Sequence, residues 1–142
     1  MTEKKILRGF TFIEVMVVVA ILALLAILVI PRLTGRVDEA KITKTVVQIR
    51  EIMQALELYR LDNGRYPTTE QGLEALVEEP RVPPQPKKWK QYMDKLPKDS
   101  WGNNFIYVCP SIDRKRYFDL YSIGPDAQEN TQDDIKSWDL PE

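Results

Sequence analysis

The chain has 142 residues, 20 Lys and Arg against 21 Asp and Glu for a net charge of −1, no histidine, and a single cysteine, Cys109. That inventory excludes Cys–His nucleophilic catalysis and an intramolecular disulfide, and it leaves no basis for a zinc site of the usual donors. No basic patch with interleaved aromatics offers itself to nucleic acid, and beyond the apolar run near the N-terminus about 110 residues remain, enough for one small core.

In chain order, a short leader carrying Lys4, Lys5 and Arg8 ends at Gly9. Phe10-Thr11-Phe12-Ile13-Glu14 follows, and then an unbroken apolar run from Val15 to Ile30. The basic start suits a secretory signal, but Glu14 interrupts the run and no small-residue cleavage site follows it. From Phe10 to Ile30 is 21 residues, roughly 30 Å of helix and enough to span a bilayer. A charged carboxylate inside such a stretch costs about 2.5–3.5 kcal/mol at a helix centre and less near an end. Two readings of Glu14 stand side by side. It complements the positive end of its own helix, or it awaits a cationic partner inside the membrane.

Arg8-Gly9-Phe10-Thr11-Phe12-Ile13-Glu14 resembles the prepilin processing motif of the type IV pilin-like superfamily. The resemblance implies cleavage between Gly9 and Phe10 by a prepilin peptidase, N-methylation of Phe10, and a role for Glu14 in assembly, its carboxylate meeting a neighbouring subunit's N-terminal amine. It also implies that the leader is cytoplasmic and the bulk of the chain periplasmic. Lysine and arginine do not orient the segment, because Arg32, Arg36, Lys41 and Lys44 balance the leader.

Pro31 and Gly35 predict a bend or a locally unwound stretch around 31–35, or else a simple membrane exit. Beyond them Ile42, Val46, Ile49, Met53 and Leu56 recur at helical spacing, widened by Ile52 and Tyr59, and predict an amphipathic helix ending at Asn63-Gly64. Thr69 is expected to cap a short helix containing Leu73, Leu76 and Val77. Five prolines over 80–100 predict an irregular connection with at most a short helix at Trp89–Lys95, and Lys87, Lys88 and Lys90 read as a solvated face. Phe105–Cys109 and Tyr117–Ser122, separated by a polar turn, predict an antiparallel hairpin with Cys109 as a small buried hydrophobe.

The segment Ser122-Ile123-Gly124-Pro125-Asp126 through Asp133-Asp134-Ile135 gathers four carboxylates in nine residues. On composition it suits either a solvated acidic loop or a hard cation such as calcium, which takes about 6–8 oxygen ligands. It is not an EF-hand, since Thr131 stands where that loop needs glycine.

Asp-Asn-Gly-Arg-Tyr-Pro-Thr-Thr-Glu-Gln-Gly-Leu-Glu-Ala-Leu from Asp62, the Pro97–Asn103 segment and the acidic loop together resemble the major pseudopilins of type II secretion. The resemblance implies an α+β, pilin-like fold: a long N-terminal helix, half membrane and half amphipathic, packed on a small antiparallel sheet. It implies a cleaved leader over 1–9, a transmembrane and filament-core segment over 10–33, and a periplasmic domain over 34–142. A calcium loop near 122–135 would use Asp126 and Asp134 as side-chain ligands, with the Ile123 carbonyl, Ser122 and Asp133 completing the shell. Pro125 and the lack of glycines after Asp126 depart from the family pattern. The implied protein is a non-catalytic, single-pass inner-membrane subunit that forms a homo-oligomeric filament. Its partners would be minor pseudopilins, the prepilin peptidase and an inner-membrane assembly platform, and the filament would support export of folded proteins across the outer membrane. The alternatives are a major type IV pilin for adhesion or motility and a membrane-anchored periplasmic binding module or enzyme; no nucleophile–base pair supports the enzyme.

Overall fold

The computed structural model describes residues 9–141, with the side chains of 26–36 left out. The leader cations lie outside the described residues, while residues 31–35 are helical, so the chain forms no unwound stretch at Pro31–Gly35. The chain divides into two compact units, Met1–Glu39 and Ala40–Glu142, described separately here. One helix, α1, runs Phe12–Asn63 and contributes to both.

In the first unit, α1 opens on a reciprocal cap. Thr11 Oγ1 accepts from the Glu14 N–H at 3.2 Å, and the Thr11 N–H donates to Glu14 Oε2 at 3.4 Å. This Thr-x-x-Glu box satisfies two donors that a helix start otherwise leaves open. The large apolar side chains from Phe12 to Leu25 are exposed on every face of the helix. Among the described residues no helix is long and apolar enough to cross a membrane; the described side chains of the run stop at Leu25.

The second unit holds the core. Ile49, Ile52, Leu56 and Tyr59 of α1 are fully buried against Tyr66, Leu73, Leu76, Phe105, Tyr107 and Leu120. The buried stripe starts one turn later than the sequence predicts. Ile42 is 45% exposed, whereas Thr45 is fully buried and uses its hydroxyl on Ser100 at 3.0 Å. The helix ends as expected. Gly64 takes φ +77, its N–H reaches the Arg60 carbonyl at 2.7 Å, and the buried Asn63 amide donates to the Tyr59 carbonyl at 3.0 Å.

The short helix after the turn is a single 3₁₀ turn, Leu73–Leu76, and Thr69 does not cap it. The Thr69 hydroxyl instead bonds Cys109, accepting from its N–H at 2.8 Å and donating to its carbonyl at 3.0 Å. Thr68 and Gln71 form the local box, each side chain accepting from the other's N–H. Residues 89–95 form no helix. They are an irregular segment pinned where the Tyr92 and Met93 N–H groups share the Leu76 carbonyl and the Trp89 indole donates to the Ala75 carbonyl at 2.9 Å.

Three strands form an antiparallel sheet in the order β1 (Ile106–Val108), β2 (Asp119–Ser122) and β3 (Ile135–Lys136). The expected antiparallel hairpin forms, and its register places Tyr107 opposite Leu120. β3 is an addition to the predicted pair: Ile135 pairs with Ser122 and closes the acidic loop back onto β2. Cys109 is half-buried, and burial pushes its thiol up from the ordinary value. The architecture is the α+β arrangement of a long helix and a small antiparallel sheet.

Candidate functional site

Two places in the chain bring together the residues singled out by the sequence. The first is the helix start. Gly9 and Phe10 are exposed, and Glu14 lies four residues on, its carboxylate turned back onto the Thr11 N–H. Of the two readings of Glu14, the structure displays the cap. A carboxylate held this way is partly balanced by the helix dipole, worth about 0.3–1 kcal/mol at an exposed terminus.

The second is the loop between β2 and β3. Ser122 ends β2, Ile123 follows it, and Gly124 makes the turn at φ +64. A Cβ on Gly124 would lie 2.5 Å from the Asp133 carbonyl oxygen and 2.8 Å from Asp133 Oδ2, so the entry and exit of the loop touch at a place where only glycine fits. Asp133 Oδ2 also accepts from the Asp126 N–H at 3.3 Å. Asp126 Oδ1 accepts from the Gln128 N–H at 2.9 Å, and Asp134 Oδ2 accepts from the Asn130 N–H at 3.0 Å. Ala127 and Asn130 adopt positive φ of 54° and 66°, a region that favours glycine.

Thr131 is the residue the sequence did not single out. Its hydroxyl lies 2.6 Å from Asp133 Oδ1, 3.4 Å from Asp134 Oδ1 and 3.2 Å from the Gln128 carbonyl. A hydroxyl has one hydrogen, so three acceptors converge on one donor and the spot is electron-rich. The Thr131 hydroxyl, followed by the Asp126 N–H, holds the Asp133 carboxyl below its ordinary value despite some burial. The Asp134 side chain is 1% exposed, with the Lys136 ammonium 3.9 Å away. Tyr121, pushed up to about 12 by burial and by its bond to Glu129, flanks the loop.

The structure thus brings Asp133, Asp134 and the Asp126 backbone together, sets Ser122 across from Ile135, and turns the Asp126 carboxylate toward the loop's own amide. Among the described residues no three carboxylate, cysteine or histidine side chains converge as a metal cluster. The donor chemistry nevertheless fits a hard cation: carboxylate oxygens, a hydroxyl and carbonyls, with surplus acceptors at Thr131.

Two family models match the chain. The family model "Type II secretion system (T2SS), protein G" matches residues 32–138, and the "Prokaryotic N-terminal methylation motif" matches residues 7–30. The type II secretion system core protein G of Pseudomonas aeruginosa is 51% identical over 136 residues, covering 92% of this chain and 94% of that protein. Its counterpart in Escherichia coli is 45% identical over 141 residues, with 98% and 94% covered. Among solved structures, the major pseudopilin from the type 2 secretion system of enterohaemorrhagic Escherichia coli aligns with a TM-score of 0.69 at 43% identity, covering 78% of this chain and 96% of that one. These matches decide between the two filament readings in favour of the pseudopilins: the chain belongs to the type II secretion system protein G family.

Proposed function

We propose that the chain is the major structural subunit of a type II secretion pseudopilus, without catalytic activity of its own. It is cut after Gly9 by a prepilin peptidase, N-methylated at Phe10, and held in the inner membrane by the 10–33 segment with the C-terminal domain in the periplasm. From there an inner-membrane assembly platform polymerises it, with minor pseudopilins, into a filament that supports export of folded proteins across the outer membrane.

The observation carrying this reading is the coincidence of the methylation motif with a helix whose apolar side chains from Phe12 to Leu25 all face outward. Apolar surface of that extent needs lipid or protein around it. A hydrocarbon setting leaves the Glu14 carboxylate short of solvation, and the Thr11 cap supplies part of what it needs within the subunit. A neighbouring subunit's N-terminal amine supplies the countercharge on assembly.

Calcium belongs to the same proposal. Asp126, Asp133 and Asp134 would supply carboxylate oxygens once Asp126 turns from the Gln128 amide, with the Ile123 and Ser122 carbonyls at the loop entry. The ion would supply positive charge to a loop that otherwise repels itself, fixing 123–136 against β2 and β3.

Intact-mass analysis of the chain extracted from membranes tests the processing step on which the rest depends. The reading requires a mature chain beginning with N-methylated Phe10. A chain beginning at Met1, or one trimmed beyond Ile30, would overturn it.

A further inference from the structure

The acidic loop is fastened to the rest of the second unit through Asp99. This carboxylate is buried, 5% exposed, and no basic side chain within the described residues pairs with it. Its Oδ1 accepts from the N–H groups of Trp101 and Asn103 at 3.0 and 2.8 Å, closing the turn in which it sits. That alone would make an ordinary Asx turn. Its Oδ2 does something else. It accepts from the hydroxyl of Ser122, at the end of β2, at 2.6 Å and from the Asn103 side-chain amide at 3.3 Å. Both donors then hold Gly124. Ser122 Oγ accepts from the Gly124 N–H at 3.1 Å, and Asn103 Nδ2 donates to the Gly124 carbonyl at 3.0 Å.

Gly124 is therefore gripped at its N–H and its carbonyl, at the point where it presses on Asp133. The next residue in the turn extends the grip to α1. The Ser100 hydroxyl donates to the Lys41 carbonyl at 2.8 Å and accepts from the Thr45 hydroxyl at 3.0 Å, and the Ser100 N–H reaches Thr45 Oγ1 at 3.2 Å. Gln48 adds a bond to the Lys98 carbonyl at 2.8 Å. A buried charge stabilised by oriented dipoles holds its donors in fixed directions, since each would be left unsatisfied by a shift.

We infer that Asp99 and Asn103 are positioning residues for the 123–136 loop, and that Ser100 couples the order of that loop to α1 at Lys41–Thr45. The ligand in this inference rests on the calcium reading; the clamp itself does not. Residues outside a metal's own ligands that fix their direction typically alter affinity by about 10–100-fold when removed.

The full chain in detergent, titrated with calcium by calorimetry and followed by amide hydrogen exchange, tests this. Asn103→Ala should raise the calcium Kd by about 10–100-fold and speed exchange over 123–126 and 133–136 without calcium. Ser100→Ala should leave the Kd near that of the unaltered chain yet abolish the calcium-induced slowing of exchange over 41–45. Should Asn103→Ala fail to fold, Asp99→Asn serves in its place, because it keeps the Oδ1 acceptor and loses the one facing Ser122. If the unaltered chain binds no calcium, the cation reading fails and the exchange arm alone judges the clamp. Unchanged loop exchange in the clamp variants, or undiminished coupling at 41–45 in Ser100→Ala, overturns the inference.

Discussion

Asp119 shows how a single carboxylate binds the hairpin to its turn. Burial would raise its pKa, but the Ile112 N–H, the Ser111 hydroxyl and the Arg116 guanidinium together bring it below the ordinary value. Arg116 in turn stacks on Trp138 with its guanidinium carbon 3.9 Å from the ring centroid. A folded pKa below the unfolded one means that the stabilisation is complete above the ordinary aspartate range and is lost as pH falls through the lowered value. Denaturant unfolding at neutral and acid pH should therefore show Asp119→Asn destabilised at pH 7, with the gap to the unaltered chain closing in acid. A constant gap at all pH values would contradict this. Ala127 gives a second residue-scale expectation. Its φ of 54° is uncomfortable for an L side chain. Ala127→Gly should raise stability by about 0.5–1 kcal/mol in the same measurement, although glycine loosens the unfolded chain.

At the scale of elements, α1 divides its second half between a buried and an open face. Leu56 is wholly enclosed, while Leu61 is 70% exposed. Leu56→Ala should cost about 2–5 kcal/mol of unfolding free energy and Leu61→Ala within about 0.5 kcal/mol; equal effects would mean that α1 does not pack as described. Much of this face was readable from spacing alone, because Ile49, Ile52, Leu56 and Tyr59 follow the helical period over several turns. The period misled at its edge. Ile42 fits the stripe but lies before the core begins, whereas polar Thr45 is buried because Ser100 takes its hydroxyl. The short elements were less legible for a related reason. β3 is two residues long and exists because Ser122 is there to pair with it, which leaves no local alternation to detect. Thr69 looks like a helix cap until Cys109, forty residues on, claims its hydroxyl. At Trp89–Lys95, bonds to Ala75 and Leu76 carbonyls override any local preference. In the acidic loop the carboxylates were visible by composition, but Thr131 and the Asp99 clamp depend on contacts between distant segments.

The whole molecule joins an apolar helix, which needs surroundings to cover it, to a small folded unit whose most acidic loop lies toward its C-terminal end. Calcium, if it orders that loop, stabilises the folded form by mass action, by about 2.7 kcal/mol at a hundredfold excess over Kd. Thermal unfolding of the full chain in detergent should accordingly shift upward in calcium relative to chelator. The shift should vanish in Asp126→Ala and Asp134→Ala; equal midpoints in calcium and chelator for the unaltered chain would remove calcium from the account. The role of α1 in assembly is tested more directly at Glu14. Glutamine can fill the capping box as glutamate does, so Glu14→Gln retains the helix start while removing the charge. Expressed with the peptidase and assembly platform, the unaltered chain should yield sedimentable filaments visible by electron microscopy, and Glu14→Gln should be processed and membrane-inserted but unassembled. Filaments of normal abundance from Glu14→Gln would contradict the account, leaving Glu14 as a helix cap and nothing more.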